Sequence, residues 1–280
     1  MKVVMHLSDL HFGRVDRAKL DPLASAAQSI HPDVVVVSGD LTQRARRVEF
    51  REARDFLARL PKPQVVVPGN HDVPLYNVLF RFVRPLETFQ RYISEDLEPF
   101  HQDDEIAVIG LNTARSLTFK RGRINERQIA RARDRLCALP DNLVRVIVTH
   151  HPFDLPEGGL DADLVGRARM AMEMFVECGA DVILSGHLHV FHTGHTAIRY
   201  KLPGRSALVV QAGTATSTRE RGEPNSFNVL SLEPSRITLE RRIWQRGEGA
   251  FLPAAVEAFE RTNEGWERAS PRDTRVQNGV

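Results

Sequence analysis

Asp, Asn and His recur at five places in this chain, nearly always just after a short apolar run. They stand in Asp9-Leu10-His11, Gly39-Asp40, Gly69-Asn70-His71-Asp72, Thr149-His150-His151 and Gly186-His187-Leu188-His189. Taking one histidine of the pair at 150 and 151, the set offers three Asp or Asn oxygens and four imidazoles, with no thiolate. Such a hard-to-borderline set suits Mn, Fe, Zn or Co better than a structural zinc, which usually recruits Cys. Seven ligands are too many for one ion and fit two ions that share a bridging carboxylate. Ions roughly 3.5–4 Å apart activate a bridging water and clamp phosphoryl oxygens during in-line displacement. The leaving alkoxide then needs a proton or a positive partner. His71 is the candidate, being next to Asn70 and followed by Asp72, a carboxylate placed to orient its ring.

These residues need elements to hold them. The preceding runs are Val3-Val4-Met5, Val34 to Val37, Val65-Val66-Val67, Val146-Ile147-Val148 and Val182-Ile183-Leu184. Short β-branched runs bounded by Gly or Pro read as buried strands. In open α/β sheets, ligands bind where loops leave the carboxyl ends of strands. Helical stripes lie between the runs: Leu20, Leu23, Ala27 and Ile30; Phe50, Ala53, Leu57 and Leu60; Ile129, Ala132, Leu136 and Leu139, with Asn125 as N-cap; and Val165, Ala168, Met172 and Val176, stopped by Gly179. Alternating strands and helices predict an α/β layered domain. Strands at Ala207 to Ala212, Phe227 to Leu232 and Ile237 to Trp244 are expected to complete a second sheet. The catalytic domain is therefore expected over 1–245, with 246–280 a C-terminal extension ending in a disordered tail from about Thr262.

Bulk properties set limits. At 280 residues and 42% apolar, the chain can bury a core as one large domain. A net charge of +2, from 38 basic and 36 acidic residues, predicts no stable nucleic-acid partner. Cys137 and Cys178 fall in helical patterns and are expected as free thiols in a reduced, cytoplasmic compartment. No signal peptide is expected, because Asp9 closes the first apolar run, and no run reaches the ~20 apolar residues of a membrane span.

The ordered motifs Asp-x-His, Gly-Asp, Gly-Asn-His-Asp, His and Gly-His-x-His resemble the calcineurin-like metallophosphoesterase superfamily, from about Lys2 to Leu232. The resemblance implies a four-layer αββα sandwich with two central mixed β-sheets and a dinuclear site at one end. It implies one ion on Asp9, His11 and His189, another on Asn70, His150 and His187, and Asp40 between them. The first histidine of a His-His pair is the usual ligand, which leaves His151 beside the substrate along with Asn70. His71 matches the family's catalytic histidine, with Asp72 behind it. The stretch Gly39-Asp40-Leu41-Thr42-Gln43-Arg44 departs from the protein Ser/Thr phosphatase pattern. His71 stands where UDP-diacylglucosamine pyrophosphohydrolases typically have Arg. The Leu-Ser-Asp-Leu-His-Phe-Gly opening is most similar to bacterial proteins of the cyclic-nucleotide phosphodiesterase type, a subgroup that includes glycerophosphodiesterases. The resemblance thus implies a phosphodiesterase acting on a small substrate, a cyclic nucleotide or a glycerophosphodiester. The alternatives are a broad-specificity phosphomonoesterase or nuclease at the same centre, and a non-catalytic binding protein on the same fold. Dimers are common among relatives, so a homodimer is open.

Two further segments bear on specificity. Pro74 to Phe100 mixes Leu75, Tyr76, Phe80, Phe82, Phe89 and Tyr92 with Arg81, Arg84 and Arg91. It reads as a substrate flap or as an amphipathic helix broken at Pro85. Gly213 to Asn225 reads either as a loop offering Arg219 or Asn225 to substrate or as a plain surface loop. His6 is expected to be a satisfied buried histidine, and His192 and His195 to stay outside the ligand set.

Overall fold

Four consecutive valines, Val34 to Val37, are all buried, and they face two different cores. Val34 and Val36 pack with Val4, Leu184 and Leu230, whereas Val35 and Val37 pack with Leu23, Phe50 and Phe56. A strand covered on both faces belongs inside a layered structure, and each such valine contributes roughly 1.5–3 kcal/mol of burial. The computed structural model describes residues 1–75, 78–116, 120–200, 202, 206–218 and 222–269, with 78–80, 197 and 198 described by their backbone alone.

Seven strands come from the first two-thirds of the chain: β1 (Lys2–Leu7), β2 (Val34–Ser38), β3 (Gln64–Val67), β4 (Phe100–Gln102), β5 (Ile106–Gly110), β6 (Val144–Val148) and β7 (Val182–Ser185). Six follow: β8 (His192–His195), β9 (Leu208–Gln211), β10 (Ser226–Leu232), β11 (Arg236–Gln245), β12 (Ala250–Thr262) and β13 (Gly265–Arg268). The helices are α1 (Leu20–Ile30), α2 (Arg47–Leu57), α3 (Val78–Val83), α4 (Glu87–Tyr92), α5 (Glu126–Leu136), α6 (Ala168–Glu177) and α7 (Thr196–Tyr200). One sheet runs β13-β12-β11-β10-β1-β2-β3 and the other β4-β5-β6-β7-β9-β8. Both are mixed. β1, β2 and β3 are parallel, as are β5, β6, β7 and β9, while β1 pairs antiparallel with β10.

The layers follow from side-chain alternation. The sheets meet through Val4, Val36, Val146, Val148, Leu184 and Val210. α1 and α2 cover the outer face of the first sheet through Leu23, Ala27, Phe50 and Phe56. α5 and α6 cover the second through Ile129, Leu136, Met172 and Phe175. The result is the expected four-layer αββα sandwich. α5 starts at the expected residue, since the Asn125 carboxamide accepts from Gln128 N at 2.9 Å and the Gln128 side chain accepts from Asn125 N at 3.0 Å.

Four features differ from the sequence reading. Cys137 and Cys178, expected as free thiols, form a disulfide with Cα atoms 4.7 Å apart. The cause is topological. α5 leads into β6 and α6 into β7, these strands are neighbours, and the residues ending both helices therefore meet. The expected domain edge after Gln245 falls in the turn between β11 and β12, so the first sheet continues across it. Polar composition from Thr262 pointed to disorder, yet Gly265–Arg268 pairs with Phe259 to Thr262 as β13. Trp266 is the reason: it is buried between the sheets, and its indole N–H donates to Asp181 Oδ1 at 3.1 Å. Residues 270–280 of the expected tail lie outside the described residues. Finally, β5 is not among the strands read from the sequence, because no candidate ligand follows it to draw attention.

Removing the Trp266 ring leaves a cavity in the intersheet core. Trp266→Ala is expected to lower stability by about 3–5 kcal/mol, seen as a lower urea midpoint. An unchanged midpoint would place 265–268 outside the cooperative fold.

Candidate metal centre

The parallel strands of both sheets end on the same side, and the candidate residues sit on the loops that leave them. The first sheet supplies Asp9 and His11 after β1, Asp40 after β2 and Asn70 after β3. The second supplies His150 after β6, and His187 and His189 after β7. All seven meet between the sheets. His11 Nε2 lies 3.1 Å from His189 Nε2, while Asp9 Oδ1 lies 3.2 Å from His189 Nε2 and 3.5 Å from His11 Nε2. Beside this group, His150 Nε2 lies 3.1 Å from Asn70 Oδ1 and 3.3 Å from His187 Nδ1. Asp40 stands between the two groups. Its Oδ1 is 3.4 Å from His150 Nε2 and its Oδ2 is 3.8 Å from His11 Nε2.

Local backbone makes this convergence possible. Asp9, His11, Asp40, His187 and His189 all have φ between 51° and 76°, the left-handed region that side chains rarely adopt. Hydrogen bonds hold two of the loops there, from Asp9 N to Gly39 O at 3.1 Å and from His11 N to Asp40 O at 3.0 Å. Gly39 has φ +88°, and a Cβ added to it would meet His150 Nδ1 at 2.6 Å, so only glycine fits beneath that ring.

The donor set fits cations. Asp9, His11, Asp40 and His189 form one buried group able to hold an ion, and imidazoles at 150, 151 and 187 converge as another. Asp9 Oδ1, fully buried, makes no hydrogen bond within the fold, and the His11 and His189 Nε2 atoms converge beside it, an arrangement a cation would satisfy. Burial works against the charge on Asp9, but His189 and His11 hold its pKa well below the usual carboxylate range. Burial likewise opposes a charge on His150, yet Asp40 beside it raises the imidazole to about 9. His187 is lowered to about 3, by burial first and then by His150.

Several expected roles change. His151 touches the second group, but both its nitrogens are engaged: Nδ1 accepts from Thr113 Oγ1 at 2.8 Å and Nε2 donates to Lys120 O at 3.1 Å. Both nitrogens are thus spent within the fold, and burial first, with His187 beside it, lowers its pKa well below the usual value. Asp72 does not orient His71. Its carboxylate accepts from Leu41 N, Thr42 N, Thr42 Oγ1 and Gly69 N at 2.9–3.2 Å, tying one ligand loop to the next. Burial and the nearby Asp40 raise it to about 6 despite those donors. The His71 ring is held instead by Gln43, whose carbonyl accepts from Nδ1 at 2.8 Å. Gln43 was missed, although a position three residues after Asp40 on the same loop is where a partner should have been sought.

The expected substrate residues fare unequally. Asn225 is fully buried, its carboxamide oxygen bonded to Lys19 and its Nδ2 donating to Thr214 O and Ser217 O. The loop before it buttresses the centre, with Thr214 Oγ1 donating to Asp9 O and Thr216 Oγ1 to Leu10 O. Arg219 lies outside the described residues. In the expected flap, Phe89 is core, packed edge-on to Phe50, and Arg81 is buried with its guanidinium on Ser116 O and Pro74 O. Tyr76 and the side chain of Phe80 are not among the described parts. A cavity of about 490 Å³ opens over the centre, and its lining includes Asn70, His71, Leu75, His187 and His189.

The sequence model of the calcineurin-like phosphoesterases matches residues 2–191. The chain is 25% identical over 201 residues to a probable glycerophosphodiester phosphodiesterase GpdQ of Arcobacter nitrofigilis, covering 67% of this chain and 71% of that protein. A second similarity, to the glycerophosphodiester phosphodiesterase GpdQ of Enterobacter lignolyticus, is 35% identical over 96 residues, 30% of this chain and 34% of that protein. Among solved structures, the purple acid phosphatase PPD1 of yellow lupin is similar in fold, with TM-score 0.68 and 13% identity. The match covers 91% of this chain and about half of that one, 53%.

At neutral pH the metal-free centre carries its extra proton on His150, so loading it must expel that proton. Adding Mn to metal-free protein at pH 7.5 in weak buffer is expected to acidify the solution. His150→Ala should cut the release by about one proton. An equal release from the variant would contradict the assigned protonation.

Proposed function

This chain belongs to the calcineurin-like phosphoesterase family and is a metal-dependent phosphoric ester hydrolase, and from that premise we propose that it hydrolyses small phosphodiesters. The observation that carries the reading is Asp40, which turns one carboxylate oxygen toward each of two convergent donor groups. Asp9, His11 and His189 would hold one ion, and Asn70, His150 and His187 the other, with Mn, Fe, Zn and Co all suited to the set. When bound, such a pair supplies a water of lowered pKa and positive charge for the phosphoryl oxygens.

The chain's own residues do the rest. Because Gln43 O fixes the Nδ1–H of His71, Nε2 is the nitrogen left for the substrate cavity. There, with the ring in its doubly protonated imidazolium form, Nε2 would give the leaving alkoxide its proton and return to the neutral Nδ1–H form, and the backbone N–H of His71, bonded to Asp40 Oδ1 at 2.8 Å, ties this acid to the Asp40 loop. Leu75, Val73 and Leu188 offer an apolar wall for the ester group. The two similar glycerophosphodiester phosphodiesterases support a diester of this kind, cyclic nucleotides being the other expected class. A homodimer is kept in the proposal, supported by the exposed Leu252 and Val256 on β12. Among the described residues no helix is long and apolar enough to cross a membrane. A cytoplasmic location is also kept, and the Cys137–Cys178 disulfide is the feature that bears against it, since reducing compartments keep thiols free.

Metal-stripped protein assayed with and without Mn is expected to cleave bis(p-nitrophenyl) phosphate faster than p-nitrophenyl phosphate, and only with metal. Preference for the monoester would make it a phosphatase. His71→Ala should keep its metal content and lose roughly 10²–10⁴-fold in diester turnover. Full turnover by that variant would remove His71 from the chemistry.

A further inference from the structure

The loop that carries His187 and His189 lies off the β ladder, between the end of β7 at Ser185 and the start of β8 at His192. Its first half is held by residues of the centre itself. Gly186 N donates to His150 O at 3.0 Å, and His187 N donates to Asp9 Oδ2 at 3.0 Å. The second half is held from elsewhere. In the peptide unit joining Val190 to Phe191, the carbonyl accepts from Gln211 Nε2 at 2.9 Å and the N–H donates to Glu223 Oε2 at 3.1 Å. Both polar ends of that unit are tied, one to the end of β9 in the second sheet, the other to the loop that leads into β10 in the first.

Glu223 is itself fixed. Arg241 on β11 donates from Nη2 to the same oxygen at 2.5 Å, and its guanidinium lies 4.7 Å from the centroid of the Phe191 ring. One cation thus touches both the carboxylate and the ring of the residue whose N–H that carboxylate accepts. The Arg241 and Glu223 side chains are only 17% and 28% exposed, so salt screens the pair weakly. Gln211 is fully buried, and its Oε1 has no hydrogen-bond partner among the described residues. Its side chain is committed to Val190 O even though this leaves a buried acceptor unsatisfied, which costs free energy.

The tied peptide unit begins at the residue after His189. His189 has φ 61°, a strained conformation that persists only where its surroundings impose it. On one side of it Leu188 N bonds back to Gly186 O at 3.0 Å, and on the other stands the clasp of Gln211 and Glu223. The segment bearing Glu223 also holds the Asp9 loop, through the Thr214 and Thr216 hydroxyls. His187 lies farther from the clasp and has its own backbone bond to Asp9.

We propose that Glu223, held by Arg241, is a positioning residue that sets His189 for the ion assigned to Asp9, His11 and His189, and so governs the occupancy of that ion rather than of the other. The proposal rests on the two-ion reading of the centre. Glu223 acts through the Phe191 N–H, and its effect therefore depends on the imidazole at 189.

The test follows Mn uptake by the metal-stripped full chain with calorimetry, and uses electron paramagnetic resonance to tell a coupled Mn pair from a single ion. Glu223→Leu is expected to weaken one of the two binding steps by about 10–100-fold and leave the other unchanged, with the coupled signal lost at equal Mn. Glu223→Gln keeps an acceptor for the Phe191 N–H and should recover most of that loss. Combination with ligand variants locates the effect. In a His189→Ala background Glu223→Leu should change nothing further, whereas in His150→Ala it should still weaken the remaining Mn. Unchanged affinity at both steps in folded Glu223→Leu would overturn the proposal. Equal weakening of both steps, or full additivity with His189→Ala, would overturn it too, making Glu223 a general support of the fold. Should Glu223→Leu fail to fold, Arg241→Met is expected to weaken the same step, and an unaltered step there would be equally fatal. Wild-type protein that takes up no second Mn would bring down the two-ion reading, and the clasp with it.

Discussion

The Asp40 carboxylate leaves the first sheet after β2 and meets imidazoles from both sheets while only 1% exposed. An ionised carboxylate so placed costs several kcal/mol unless positive partners surround it. The neighbouring His150 imidazole, raised to about 9 by Asp40, answers that need, and bound cations would serve it in the same way. The first sheet provides Asp9, His11, Asp40 and Asn70, and the second provides His150, His187 and His189. The centre is thus a seam between two layers, and its geometry is only as firm as the Val and Leu packing between the sheets.

The seam explains the unusual backbone. To bring side chains from neighbouring strand ends to one point, the chain must turn sharply at the convergent residues themselves. Five of the seven accept left-handed φ values at roughly 1–3 kcal/mol each. The loop-to-loop bonds at Asp9 and His11, the four donors on Asp72 and the Thr214 and Thr216 hydroxyls together hold that strain in place. Asp72 therefore serves the site as a fastener, a role that adjacency to His71 in sequence disguises.

Much of the architecture was legible because two simple periodicities carry it. Valine runs gave β1, β2, β3, β6 and β7, and stripes of three and four residues gave α1, α2, α5 and α6. The convergent Asp, Asn and His residues were legible because their types are rare after strands. What could not be read depended on distance in sequence. The meeting of Cys137 with Cys178 follows from strand order, which local pattern does not encode. Asn225 was chosen for its polar type and its loop, but Lys19, more than 200 residues earlier, occupies its oxygen. His151 differs from His150 only in which way its ring turns, and Thr113 and Lys120 decide that. The β13 strand was hidden because one Trp outweighs its polar neighbours.

The pairing of β1 with β10 joins Lys2 to Leu232. On the ribosome, β1, β2 and β3 are synthesised within the first 67 residues and can associate as a parallel unit at once. The open edge of β1 must then wait until Ser226–Leu232 has emerged. At about 5–20 residues per second, that interval lasts on the order of ten seconds or more. Throughout it, a hydrophobic strand edge beside Asp9 and His11 stands exposed to other nascent chains. Slow synthesis and crowded polysomes are therefore the conditions under which this fold is most open to misassembly, well before any ligand from the second sheet reaches the seam.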